Sequence, residues 1–388
     1  MSTDFWCNPY PAYHRLRAVS PVIWDDALGA WLVTGARAAD TLLRSQQVSS
    51  AWIRLSEGTP RTADRDELNR ILGDWFMLSD QPEHTGLRRA VHGWFTRSKI
   101  ESLRPQVRVV VDRTLDGLGP SDQVELVEEL ASPVAAGAIG AILGVPGELC
   151  LSALPNLGRI ASFLANPYHE PSAVAAADAF RQLSETLRRA PVEGSGGLLE
   201  GLHDAGWSQY AATATLLLFA GQETTTGLIS TGLLYLMGDD ESRLALANGE
   251  VTAEEVVMEL LRFDTPVPQV PRVALADINL EGELIRTGDR IIIFIAAANR
   301  DPAAATDPDR LDVRRSDLGL AFGAGPHFCL GAALARVTGE EAISAWVRRF
   351  PDAKPVGPGA VWLTSKGYRA LASLTVATNR FSLQETHR

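Results

Sequence analysis

Phe322-Gly323-Ala324-Gly325-Pro326-His327-Phe328-Cys329-Leu330-Gly331 is a glycine-rich loop that delivers one cysteine to the start of an amphipathic helix. The helix is read from the residues beyond the loop: Ala332, Leu334, Ala335, Val337, Ile343, Trp346 and Val347 recur at roughly helical spacing, with Arg336, Glu340, Glu341 and Arg348 between them. Positive partial charge gathers at a helix start. With nearby backbone N–H groups it favours a thiolate at Cys329, and a thiolate is both a nucleophile and a metal ligand. The glycines let backbone pass close to something flat or bulky, since they carry no side chain to clash. A lone cysteine in an arbitrary setting packs as a small inert hydrophobe; the loop around Cys329 argues for chemistry instead.

Working outward, the chain of 388 residues is 46% hydrophobic, enough for a large core, and its length alone allows two or three domains. Glycine and proline clusters punctuate it without marking a linker, a repeat or a low-complexity tract, so it reads as one domain spanning 1–388. Cys7, Cys150 and Cys329 are odd in number and scattered, which fits neither a disulfide framework nor a zinc site and points to the cytoplasm. Met1 to Tyr13 holds no apolar run, so neither a signal peptide nor a membrane anchor is expected. A formal charge of −11 opposes a nucleic-acid role, because phosphate binding needs a basic surface.

The expected architecture is mainly α with a small β region. Pro21-Val22-Ile23-Trp24 and Ala30-Trp31-Leu32-Val33-Thr34, separated by Asp25, Asp26 and Gly29, suggest a hairpin, and helical patterns dominate from about 35 to 265. Arg290 to Ile295 reads as a buried strand. The apolar segment from about 210 to 237 is interrupted by Ala220-Gly221-Gln222-Glu223-Thr224-Thr225-Thr226-Gly227, whose polar groups would be expensive in lipid, so it reads as a helix through a protein core. Ala220 and Thr224 lie four apart on one face. There the threonine hydroxyl can bond back to the earlier carbonyl and loosen the turn into a groove. Glu259 and Arg262 share a face of a helix opened by the capping-box sequence Thr252-Ala253-Glu254-Glu255. Taken alone, that pair is a surface ion pair worth little.

The spacing Phe-x-x-Gly-x-x-x-Cys-x-Gly followed by Ala-Ala-Leu-Ala-Arg resembles the haem-ligand loop of the cytochrome P450 family, the haem-thiolate monooxygenases. Ala-Gly-x-Glu-Thr at 220–224 resembles that family's oxygen-activation motif, and Pro82-Glu83-His84-Thr85-Gly86-Leu87-Arg88 its propionate-binding helix. The resemblance extends from Asn8-Pro9-Tyr10 through the cysteine helix. It implies the cytochrome P450 fold, with haem b held between the central helix and loop 322–331 and its iron ligated by Cys329. It implies haem contacts from His84, Arg88, Arg272, Phe322, His327 and Gly331, the cations meeting the propionates. Glu223 and Thr224 become the catalytic acid and alcohol. Glu259, Arg262 and, from Pro308-Asp309-Arg310-Leu311, Arg310 become a structural network.

The implied reaction uses dioxygen and two electrons to hydroxylate a hydrophobic small molecule or natural-product intermediate, as in secondary metabolism, and the implied partner is a hydrophobic small-molecule or peptide substrate. Oxidative coupling of aromatic rings or a peptide is the alternative, and a non-catalytic haem sensor the third reading. The chain carries no reductase region, so electrons would come from an external ferredoxin and ferredoxin reductase or a similar donor, with Arg89, Arg97, Lys99 and Arg104 as a docking patch on a monomer. Segments 50–80 and 155–195 are expected to cover the substrate, the second through short or mobile helices. Trp75, Phe76, Phe163, Phe219, Ala220 and Val270 are expected to line the pocket.

Overall fold

The computed structural model describes residues 3–53, 62–119, 122–192, 194–204, 206, 209–315, 319–365 and 367–378. Its longest helix, Tyr210–Gly238, forms where the sequence is apolar on every face, and it runs through the main core. No helix among the described residues is long and apolar enough to cross a membrane. The cysteine-bearing segment leads into a second long helix, Ala332–Arg349. A third, Ala253–Phe263, opens with the expected capping box: Thr252 Oγ1 accepts from Glu255 N at 3.2 Å, and Glu255 Oε2 accepts from Thr252 N at 2.7 Å. These three helices lock together at Gly339. A Cβ there would lie 3.0 Å from Leu228 and 3.2 Å from Val257, so the close approach favours a residue without one.

The β region is a five-stranded sheet in the order Val22–Asp25, Ala30–Val33, Arg290–Ile293, Val270–Ala274, Val48–Ser49. The expected hairpin pairs Val22 with Val33 and Asp25 with Ala30. Its second strand runs parallel to Arg290–Ile293, while Val270–Ala274 pairs antiparallel on the other side. The strand expected to reach Ile295 stops at Ile293, because Ile295–Ala298 turns into a short helix. Its alanines favour that conformation.

Glu259 and Arg262 are not a surface pair. Each side chain is 1% exposed, and the guanidinium donates to both carboxylate oxygens, at 2.6 and 2.8 Å. Its remaining N–H capacity goes to three backbone carbonyls, those of Asn299, Pro308 and Arg310. Glu259 Oε1 also accepts from Asp312 N at 2.8 Å. Arg310, expected as the third charged member, contributes its carbonyl only. Its side chain is 59% exposed and reaches toward Glu241, because the residue sits on the outer side of the turn. Arg315 takes the expected position, with Nε 3.7 Å from Glu259 Oε1.

Removing one partner of a buried pair leaves an uncompensated charge. Glu259→Ala or Arg262→Ala should therefore lower stability by about 3–5 kcal/mol in chemical denaturation. Arg310→Ala should leave the midpoint unchanged; an equal loss would return its side chain to the network.

Candidate active site

The central helix and the cysteine helix touch at Leu228 and Gly339 and then part. On the central helix, residues 212–219 and 225–233 are buried, yet Ala220 between them is exposed and Glu223 and Thr224 are half-buried. On the cysteine side, exposure likewise returns ahead of the contact, at Ala332, Ala333 and Cys329. Exposure deep inside a folded chain means an internal space. The wedge between Ala220, Thr224 and the cysteine loop is that space.

Thr224 Oγ1 donates to Ala220 O at 2.8 Å, the expected back-bond. The helix nevertheless continues unbroken from Tyr210 to Gly238, so the hollow comes from the small side chain of Ala220 and not from a loosened turn. Thr225 is buried, away from the wedge. Burial raises the pKa of Glu223 above the usual carboxylate range. Gln222, whose role the sequence leaves open, turns into the core and donates Nε2 to Ser132 O at 3.1 Å.

The loop delivers Cys329 through a backbone bond from its N–H to Phe322 O at 2.9 Å, and the helix begins at Ala332. Phe322 is half-buried, its ring 6.3 Å from that of Phe328, and Gly331 stands at the helix N-cap. The helix start acts on Cys329 in the expected direction, through the Gly331 N–H, but it is not the largest influence. Burial, the largest influence, pushes the Cys329 thiol up, against smaller opposite effects from the Gly331 N–H and Arg88. A cation inside the wedge would oppose that shift and favour the thiolate, as a metal centre does.

His84, Arg88, Arg272 and His327 converge beside the same loop. The two imidazole rings lie 4.3 Å apart, and Arg88 Nη2 donates to Phe328 O at 2.7 Å. Arg272 finds only its neighbour's carbonyl, Pro271 O, at 2.8 Å, and His84 Nε2 is buried without a partner. None of the four makes a salt bridge among the described residues. Burial, then Arg272, His84 and Arg88, drives His327 down to about 3, and burial brings Arg272 down to about 10. Asp80 is the one carboxylate whose field reaches His84 and Arg272, and it does not offset their burial, so the basic cluster is short of negative charge. Two carboxylates fit this deficit, and with a free thiol and a hollow at Ala220 the donor set suits a haem.

Two of the expected pocket residues belong elsewhere. Trp75 is fully buried against Phe180 and Phe219, and Phe163 is buried too, so neither touches the wedge; large aromatic surfaces pack into the core where space permits. Phe219 is buried between Trp75 and Tyr368, and Phe76 is buried beside His84, whereas Ala220 and Val270 keep exposure. The cover expected at 155–195 includes a 19-residue helix, Glu170–Arg188, which is not short. Part of the other cover segment, 54–61, lies outside the described residues. From the expected docking patch Arg104 drops out, since Glu101, Glu340 and Glu341 all pair with it.

A hub around Asp264 escaped the sequence. Its buried carboxylate accepts from Tyr10 Oη and Tyr235 Oη, both at 2.6 Å, and from Arg369 Nε at 2.5 Å. Arg369 also holds the carbonyls of Trp6 and Cys7. Two of these partners lie 254 and 105 positions away, so no local pattern flags them.

The family described as Cytochrome P450 matches residues 252–355. The chain is 33% identical to the cytochrome P450 monooxygenase PikC of Streptomyces venezuelae, over 98% of this chain and 93% of that one. It is 35% identical to the vitamin D(3) 25-hydroxylase of Pseudonocardia autotrophica, over 95% and 92% respectively. Among solved structures, P450BioI in complex with an acyl carrier protein ligated to hexadec-9Z-enoic acid superposes with a TM-score of 0.85 at 28% identity, covering 97% of this chain and 100% of that one.

Arg88→Ala and Arg272→Ala should release haem faster than Arg97→Ala does, measured by transfer of haem to an excess of apomyoglobin. Equal release from all three would sink the assignment of the basic cluster. Cys329→Ser should abolish the strongly red-shifted Soret band of the reduced, carbon-monoxide-bound protein.

Proposed function

The chain belongs to the cytochrome P450 family, and from that premise we propose that it hydroxylates a hydrophobic small molecule or natural-product intermediate in secondary metabolism. It is a monooxygenase, and haem is its cofactor. When bound, haem supplies the activation of dioxygen by two electrons. Cys329 would hold its iron. Arg88, Arg272, His84 and His327 would receive its propionates.

The observation that carries the reading is the pair Glu223 and Thr224, the two polar residues at the open face of the central helix. Because Thr224 spends its proton on Ala220 O, its oxygen is left as an acceptor toward the wedge, where it can hold a water. Glu223, its pKa raised by burial, keeps a proton closer to neutral pH than an ordinary carboxyl and can pass it to that water. Neither group binds electrons, so a separate ferredoxin or similar donor completes the system. Arg89 and Arg97, both exposed and outside the salt bridges of Arg104, suit its docking. The main core, continuous from Ile53 to Val376, supports one catalytic domain.

Product mass tests the reaction type: gain of one oxygen is expected, and loss of two hydrogens would show coupling or desaturation instead. With an accepted substrate, Thr224→Ala should still consume reducing equivalents while releasing more peroxide and less product per electron. Glu223→Gln should slow turnover by about a hundredfold. Thr225→Ala, about 100° further round the helix, is the control. Unchanged coupling in Thr224→Ala, or a larger loss in Thr225→Ala, would overturn the proton-delivery assignment.

A further inference from the structure

Tyr10 and Tyr235 both deliver their hydroxyls to Asp264. The Tyr368 hydroxyl has no protein partner among the described residues, and it is not one of the polar atoms sealed from solvent. Yet the residue lies deep in the molecule, half-buried against the main core. An accessible, unpaired phenol at that depth faces an internal space.

Its backbone fixes which space. Tyr368 N donates to Ser365 Oγ at 3.3 Å, Arg369 N donates to Pro266 O at 2.8 Å, and the Arg369 guanidinium is locked to Asp264. The segment then runs along one face of the central helix. The Tyr368 ring lies 5.9 Å from that of Phe219, and a Cβ on Gly227 would lie 3.3 Å from both Arg369 O and Ala370 Cβ. Phe219, Glu223 and Gly227 are successive positions four apart on that face, so Tyr368 stands beside Glu223. Glu223 is also the one charged group whose field reaches the phenol.

We propose that Tyr368 is a specificity-determining residue, donating a hydrogen bond from its hydroxyl to a carbonyl oxygen of the substrate beside Glu223. The inference deepens the monooxygenase reading and rests on it, because it assigns the polar end of the same wedge. The phenol is a hydrogen-bond donor and burial moves the neighbouring Glu223 carboxyl toward its protonated form, so the site selects an acceptor. A plain hydrocarbon would leave the hydroxyl desolvated and unpaired, which is how a polar site rejects an apolar analogue.

Isothermal titration calorimetry on the haem-loaded protein, with no reductant present, would compare 4-phenylcyclohexanone with phenylcyclohexane. The ketone should bind about tenfold more tightly, the worth of one such hydrogen bond. Tyr368→Phe keeps the ring against Phe219 and should bring that ratio to about one while leaving the hydrocarbon affinity unchanged. Equal affinities in the wild type, binding of neither probe, or a ratio that survives Tyr368→Phe would overturn the proposal. A ratio lost in Glu223→Gln but kept in Tyr368→Phe would assign the donor to Glu223 and overturn it equally. Binding without turnover separates the two readings. If Thr224→Ala leaves coupling unchanged while Tyr368→Phe abolishes discrimination, only the proton-delivery reading fails.

Discussion

The cysteine loop depends on a buried ion pair that it never touches. Arg262, neutralised by Glu259, gathers the carbonyls of Asn299, Pro308 and Arg310, and so pins an irregular stretch that has no sheet or helix of its own to hold it. The Asn299 side chain then accepts from Leu320 N, Leu320 O accepts from Gly323 N, and Phe322 O accepts from Cys329 N. Each link is a single hydrogen bond, but the first cannot move without stranding a charge. Desolvating the pair is costly, and a hydrophobic replacement of similar shape could give equal stability. A hydrophobic replacement could not hold three carbonyls in fixed places. The pair therefore buys position for Cys329.

The same helix end carries a second foundation. Two residues beyond Arg262, Asp264 gathers Tyr10, Tyr235 and Arg369, and Arg369 in turn fixes Tyr368 against the central helix. One wall of the wedge is set through Arg262 and the other through Asp264. Any shift of the Ala253–Phe263 helix along its axis would move both walls together, keeping their separation.

What the sequence made legible was local. The central helix, the hairpin, the capping box and the back-bond from Thr224 to Ala220 all derive from neighbours within a few positions, and the structure contains each of them. Charge partners across long loops were harder. Arg310 and Arg315 are five positions apart on the same irregular stretch, and only the direction of a turn decides that the first points outward and the second toward Glu259. Trp75 and Phe163 failed for a related reason. Composition identifies an aromatic that wants to be buried, but not whether protein or substrate buries it.

Burial acts on every ionisable group around the wedge in the same sense, toward the neutral form, and the consequences differ on its two sides. His84, Arg88, Arg272 and His327 are bases, so burial lowers the pKa of each, repulsion from neighbouring bases adds to this at His84 and His327, and an anionic cofactor would oppose the shift by supplying negative charge. Glu223 and Tyr368 are acids with no cation among the influences on them, so burial shifts both toward their protonated forms. Cys329 is the exception among the acids, because Arg88 and the Gly331 N–H already oppose its burial and a bound metal would complete the reversal. One physical effect thus separates the wedge into a side that binds a charged cofactor and a side that keeps protons for chemistry.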